Sequence, residues 1–296
     1  MISILRRRGL GNGSTRAIKK NLYNDGIEID IIRYDNRGIS QLTRHGAYIY
    51  GPVNDNPFAH RWGYTGEAGY DRDHTINLSE HIHLVNNKPE CRKKLILNGI
   101  NVPMTFYSKE DIAIADFPVV GRPSRHAQGR KMVISRNHDE LRRDISSTYW
   151  SKIIDKDQEF RVFTFFGKIT MVAEKVPTEI GRRRIAWNHF GGGATFENVT
   201  WGNWPIEACK EALKASNVIG IDFAGVDVMM KDGVPYILEI NSAHSLTSEY
   251  RQKTFSKALK WLINELEVNN AKPAHFEYPT HIRTYKSMIL PYLRNA

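Results

Sequence analysis

Cysteine is almost missing from this chain: Cys91 and Cys209 are the only two in 296 residues, and they stand far apart. That excludes a disulfide framework and a cysteine-rich zinc site, and it suits a reducing compartment. No apolar run reaches the roughly 20 residues that a membrane-spanning helix needs. The opening Met1–Leu5 run meets Arg6, Arg7 and Arg8 before it attains signal-peptide length, so the expectation is a cytoplasmic protein with no membrane partner. Acid is in deficit as well. Against 42 Lys and Arg stand 32 Asp and Glu, a formal charge of +10, which calls for an acidic partner such as a polyphosphate, a carboxylate-rich peptide or nucleic acid.

What is present is 41% hydrophobic residues, enough for one large or two modest cores. The apolar opening Ile2–Leu5 leads into Gly9, Gly11 and Gly13. Ser14 is then placed to cap a helix over 15–24 that stops at Gly26, and 27–34 alternates like a strand. Strand, glycine-rich turn, helix, strand opens an α/β unit expected to fill residues 1–87, with a further strand at 47–50. Residues 51–73 lack periodicity and read as a long surface loop. A helix is expected over 88–98, closed by Gly99, and a second short one from Ser108. Strands follow at 117–120, 132–135 and 150–154 with a helix at 138–147 between them, then a hairpin of 160–165 with 169–173. After a helix over 205–216 comes a hairpin across Lys231-Asp232-Gly233, and an amphipathic helix over 248–268 ends the pattern. Units of 88–149, 150–270 and a tail of 271–296 complete the expected division.

The stretch Ile221–Ser245 places acids inside apolar strands. If the turn is a three-residue loop, Met230 pairs with Val234, Asp227 lies diagonal to Glu239, and Asn241 shares their face. A two-residue loop breaks that arrangement, and in an ordinary hairpin such acids simply face water. Two carboxylates and an amide oxygen on one sheet face suit magnesium. Between Phe117 and Ile134, two strands flank a basic loop in which Gln128-Gly129 offer backbone amides to phosphate, with Arg122, Arg125, Arg130 and Lys131 as cationic complement. From Tyr149 to Val176, the strand edge Lys152-Ile153-Ile154 can offer backbone groups to an adenine, Glu159 can accept from ribose hydroxyls, and Arg161 and Lys175 sit among apolar neighbours.

In this order the motifs resemble the ATP-grasp superfamily from residue 88 to about 265, and within it the ribosomal-protein glutamate ligase type and phage-type carboxylate-amine ligases. The resemblance rests on Gly99-Ile100-Asn101-Val102-Pro103-Met104-Thr105, Val119-Val120-Gly121-Arg122-Pro123, the glycine loop, an acid ahead of Arg161-Val162, and Asp227-Val228 with Leu238-Glu239-Ile240-Asn241. It implies an α/β protein whose two α+β subdomains grip ATP behind an N-terminal open α/β domain. It further implies an ADP-forming ligase that joins a carboxylate to an amine through an acyl phosphate, with magnesium, or manganese in its place, on Asp227, Glu239 and Asn241.

Gly129 with Gln128 then lies in the phosphate-covering loop, Lys152–Ile154 in the adenine hinge, and Glu159 at the ribose. Arg161, Lys175 and Asn188 become catalytic contacts to phosphate or substrate. The substrates implied are an amino acid or peptide, including an acidic peptide or protein. Two departures stand out. Arg122 replaces the usual lysine, and Ala243-His244-Ser245 stands where a proline and a glycine are common. Two other readings are an ATP-grasp small-molecule kinase and a basic nucleic-acid-binding protein on a nucleotide fold, the latter drawing on Arg182–Gly193, which mixes basic and aromatic residues. His81 and His83, near His74, would share a face if they lay on a strand, a spacing in which a metal site is imaginable but not favoured, and Gly9–Ser14 falls short of a dinucleotide fingerprint.

Overall fold

The computed structural model describes residues 1–7, 9, 11–34, 39–41, 48–50, 56–66, 68–124, 131–182, 193–276 and 288–293. Three sheets follow one another along the chain.

The first contains β1 (Ile2–Arg7), β2 (Asp30–Tyr34), β3 (Ile39–Gln41), β4 (Tyr48–Tyr50), β5 (Phe58–Trp62) and β6 (Thr75–Ile76) in the order β4-β3-β2-β1-β5-β6. β1 runs parallel to β2 and to β5, and α1 (Asn12–Asn24) makes the crossover between β1 and β2. Both sheet faces are covered. Ile2, Ile4, Phe58 and Trp62 pack with α1, while Leu5, Ile32 and Ala59 meet Tyr34 and Tyr64 on the other side. Burial on both faces explains why β5 did not read as a strand: Phe-Ala-His-Arg-Trp is wholly buried and shows no polar–apolar alternation. The expected 51–73 surface loop therefore gives way to a strand beside the centre of the sheet.

Three other expectations change here. α1 starts at Gly11 (φ 63) rather than at Ser14, whose hydroxyl instead accepts the Leu246 N–H at 2.9 Å. His81 and His83 lie on a helix, α2 (Ser79–Asn86), where neighbours two apart point to different sides. Among the described residues no cluster of three or more His, Cys, Asp or Glu could hold a metal. α3 (Lys88–Leu97) forms as expected, but no α-helix starts at Ser108; turns lead instead to a short 3-10 segment, Ile114–Asp116.

The second sheet, β7 (Thr105–Phe106), β8 (Val119–Arg122), β9 (Val133–Ser135) and β10 (Tyr149–Lys152), is antiparallel in the order β7-β10-β8-β9, with α4 (His138–Arg143) beside it. The third contains β11 (Gln158–Phe165), β12 (Lys168–Pro177), β13 (Ala194–Val199), β14 (Phe223–Lys231) and β15 (Val234–Asn241), ordered β13-β12-β11-β14-β15. α5 (Glu179–Arg182) follows β12, and α6 (Ile206–Ile219) precedes β14. One face of this sheet, through Phe160, Val162, Val226, Val228 and Ile240, buries against Ala208, Ala212 and Leu213 of α6 and Cys91 and Leu95 of α3. The other face divides. Phe163, Phe165 and Phe223 pack under α7 (Glu249–Asn269), which also touches the first sheet, and the rest carries charge.

Asp222 pins the segment after α7 to this junction. Its buried carboxylate accepts the Asn77 N–H at 2.7 Å, lies 2.8 Å from His275 Nε2, and takes Lys272 Nζ at 3.2 Å. Burial would raise its pKa, but these partners together hold it below the ordinary carboxylate value. A depressed carboxyl stabilises the fold above its unfolded pKa, and the contribution fades as pH falls through the folded value. Asp222→Ala should therefore cost about 3 kcal/mol at pH 7, with the deficit shrinking below pH ~4. Urea unfolding of both proteins at pH 7 and pH 3.5 checks this; an equal deficit at the two pH values would contradict it.

Candidate active site

The charged half of the third sheet is built by strand register. The β14–β15 turn has two residues, not three: Lys231 pairs with Val234, and Asp232 (φ 50) and Gly233 (φ 77) are both left-handed, the requirement of a type I′ hairpin. Continued regularly, that register would set Asp227 against Leu238 and turn Glu239 toward α6. A β-bulge intervenes between Val228–Ile237 and Asp227–Glu239, so Asp227 ends directly opposite Glu239, and Asn241 opposite Gly225. The two expectations that fail separately, turn length and diagonal placement, are replaced by a closer pairing of the same two acids.

Arg161, opposite Asp227 on β11, donates Nε and Nη2 to the two Asp227 oxygens at 2.6 and 2.7 Å. Asn241 Nδ2 donates to Glu239 Oε1 at 2.9 Å, which leaves the Asn241 amide oxygen as a donor to a metal. Lys88, the first residue of α3, donates Nζ to the Ile240 carbonyl at 3.1 Å and lies 3.8 Å from Glu239 Oε2. Burial alone would raise Glu239; Lys88, the Asn241 amide and Arg161 outweigh it and hold the carboxyl well below its usual range. For Asp227 burial wins over Arg161, and the pKa is pushed up. A site with one firmly ionised carboxylate, one costly carboxylate and an amide oxygen gains from a dication, and its donors are all oxygens, as magnesium prefers.

On the same face Glu159 is 1% exposed and clamped between two lysines, Lys156 and Lys175, the latter at 2.6 Å. The ribose contact expected of Glu159 would have to compete with both. Phe196 on β13 lies beneath three cations: the centroid is 4.8 Å from Arg161 Cζ, 5.8 Å from Arg251 Cζ and 5.9 Å from Lys175 Nζ. Lys88, Lys156, Phe196 and Arg251 escaped the sequence reading because each is recruited from a separate element and carries no local spacing signal.

Arg122 sits on the second sheet, nearly buried, with Nη1 donating to Ser151 Oγ at 3.0 Å. Beside it Arg92 is lowered to about 10, chiefly by burial and then by Arg122, so the two cations repel, and among the described residues neither forms a salt bridge. In the expected hinge the Lys152 and Ile153 N–H groups already donate to Met104 and Pro118 carbonyls. A base at this edge would therefore use the Ile154 N–H and the carbonyls. Gln128, Gly129, Arg125, Arg130 and Asn188 lie outside the described residues.

The model of the ATP-grasp domain matches residues 85–244, which take in α3, the second sheet and the strands that carry both acids. The chain belongs to the ATP-grasp family. Its fold agrees. Over 91% of the chain and 98% of the other, the ATP-grasp structure here aligns with D-alanine–D-alanine ligase from Bacillus anthracis at TM-score 0.61 and 18% identity. The ATP-grasp ligase PsnB, solved with a minimal precursor variant, Mg and ADP, aligns over 87% of this chain and 97% of that one at TM-score 0.60 and 13% identity. At such identities the likeness is one of fold. In sequence, the coenzyme gamma-F420-2:alpha-L-glutamate ligase of Methanococcus maripaludis is 25% identical over 177 residues, 57% of this ATP-grasp chain and 62% of that relative. The chain thus spans about three fifths of that relative's length. No helix among the described residues is long and apolar enough to cross a membrane.

Proposed function

We propose that this ATP-grasp protein is an ATP- and magnesium-dependent ligase that activates a carboxylate as an acyl phosphate and joins it to an amine, releasing ADP and phosphate. The observation that carries the reading is the bulge-set pair Asp227–Glu239, with Asn241 beside it and Arg161 across it. Five cations on or against this face, Lys88, Lys156, Arg161, Lys175 and Arg251, surround three acids, Glu159, Asp227 and Glu239. That excess is the complement of a polyphosphate plus a carboxylate. The names of the similar ligases point the same way.

Asp227, Glu239 and Asn241 would hold the magnesium, which when bound neutralises phosphate charge and orients the terminal phosphoryl group. Arg161 keeps Asp227 in place and presents its remaining positive edge to the transferring group. Lys175 offers an ammonium anchored on one oxygen of Glu159, whose other oxygen takes Lys156. Arg122 supplies a forked cation where a lysine is usual, able to take two phosphate oxygens at once. The chain divides, in this reading, into 1–87, 88–152, 153–270 and a tail, with the second boundary after β10 because that strand pairs into the second sheet.

The test is product analysis with pools of amino acids and acidic peptides. Magnesium-dependent ADP release that requires an acid and an amine together, with a mass gain in one of them, supports a ligase. A stable phosphorylated product formed without an amine would make it a kinase, and failure to bind ATP would remove the enzyme reading.

A further inference from the structure

Arg251, in the first turn of α7, is a buried cation that no acid among the described residues answers. It is 4% exposed. Its Nε donates to Ser248 Oγ at 2.9 Å and its Nη2 to the Phe196 carbonyl at 3.3 Å. Among the described residues no carboxylate approaches it within ion-pair distance. Burial, and after it the like charge of Arg161, lowers its pKa. The other cations of the face are differently placed: Lys156 and Lys175 reach Glu159, Lys88 reaches Glu239, and Arg161 is doubly bonded to Asp227.

One aromatic face and two neutral acceptors meet the guanidinium, and none of them carries charge. Taking an ion out of water without a counter-ion is costly, and the second guanidinium nearby adds to the cost. A carboxylate seated against Arg251 would relieve both. It would also lie at the start of a 21-residue helix, whose N-terminal end favours negative charge.

We propose that Arg251 and Phe196, beside Arg161, form a subsite for a carboxylate that one of the two substrates carries and that does not itself react. This rests on the ligase reading of the same face. The carboxylate is distinct from the reacting one because of where the strands lie. Phe196 is on β13, at the far edge of the sheet from the acids of β14 and β15. At the usual strand spacing of about 4.8 Å, β13 and β14 are roughly 14 Å apart. Side chains narrow that gap, and Arg161, bonded to Asp227 and 4.8 Å from the Phe196 centroid, lies between the acids and Arg251, so a carboxylate on Arg251 sits one guanidinium farther out than a group held over Asp227–Glu239. The substrate that reaches both is one with a second carboxylate some bonds away, such as a dicarboxylic acid or an amino acid entering through its amine.

The experiment is isothermal titration of the full chain, with and without ADP and Mg2+, using glutarate, L-glutamate, L-glutamine and the α-amide of L-glutamate. Wild type, Arg251→Gln and Arg251→Lys are compared. Wild type is expected to bind at least one carboxylate saturably, Arg251→Gln to lose tenfold or more in that affinity, and Arg251→Lys to lose severalfold because the fork is gone. Glutarate binding assigns the carboxylate to the acid substrate, and loss of binding on α-amidation of L-glutamate assigns it to the amino acid; either outcome supports the subsite. Absence of saturable binding in wild type, or equal binding by Arg251→Gln, overturns it. Should Arg251→Gln fail to fold, unchanged binding by Arg251→Lys overturns it instead. Failure of wild type to bind ADP counts against the ligase reading, while the titration without nucleotide reads the subsite alone.

Discussion

Glu239→Gln should reduce magnesium-dependent ADP formation by about a hundredfold to a thousandfold, the range seen when one oxygen or donor that stabilises transferring charge is removed. The side chain keeps its size and its place opposite Asp227. What changes is charge: the carboxylate held ionised by Lys88, Asn241 and Arg161 becomes a neutral amide. Lys88 is then left with the Ile240 carbonyl alone. Nucleotide binding should persist, because Arg122 and the Lys152–Ile154 edge belong to the second sheet and its margin. The pair of measurements is ADP release against time and nucleotide affinity by titration. A variant that turns over ATP like wild type would remove Glu239 from the metal site; one that loses nucleotide affinity and turnover equally would mean that Glu239 acts in ground-state binding.

Arg161→Met should lower stability by about 3–5 kcal/mol, because it strands a buried carboxylate next to a second one. Asp227 receives both of its close hydrogen bonds from Arg161, and Glu239 is its neighbour across the strand. Through the usual entropy of unfolding this corresponds to a fall of roughly 6–10 °C in melting temperature. Arg161→Lys should recover only part, since an ammonium cannot satisfy two carboxylate oxygens in parallel. The double variant Arg161→Met with Asp227→Asn should regain stability over the single change, as the uncompensated charge has gone. Calorimetric melting of the four proteins decides it. A double variant no more stable than Arg161→Met would show that the cost lies in lost packing on Phe196, over which the Arg161 guanidinium also lies.

The sequence was most legible where a motif spans few residues. Asp227, Glu239 and Asn241 were selected from one stretch and meet in the fold. α3, α6 and α7 were placed within a few residues of their ends, since each shows helical spacing and a recognisable start or stop. β5 was not legible, because a strand covered on both faces has no alternation to display, and its His60 and Arg61 read as surface residues. His60 is in fact fully buried among Trp62, Phe223 and Phe255, its pKa lowered to about 4 by that burial. Glu159 was selected for its position but not for its partners: Lys156 comes from the preceding turn and Lys175 from the next strand, so the clamp exists only after β11 and β12 have paired. The turn length was misjudged because Lys-Asp-Gly serves a two- or a three-residue loop equally well. Only the bulge, which leaves no mark in composition, separates the outcomes.

That bulge gives the hairpin an arithmetic of parity. A tight turn of two residues and one extra residue in the ladder are two departures from regular counting, and together they restore Glu239 to the side of the sheet that a three-residue turn would have given it. The extra carbonyl at Leu238, turned out of the ladder, is caught by Arg92 Nη2 at 3.1 Å, and the Ile237 N–H by the Asn101 carbonyl at 2.8 Å, so the correction is locked from α3 and the segment after it. A lengthened turn can therefore be tolerated in a chain that also loses the extra residue, whereas either change alone sends the acid into the hydrophobic layer. What keeps the two acids on one face is the odd total of turn and bulge residues, whatever the loop that delivers it.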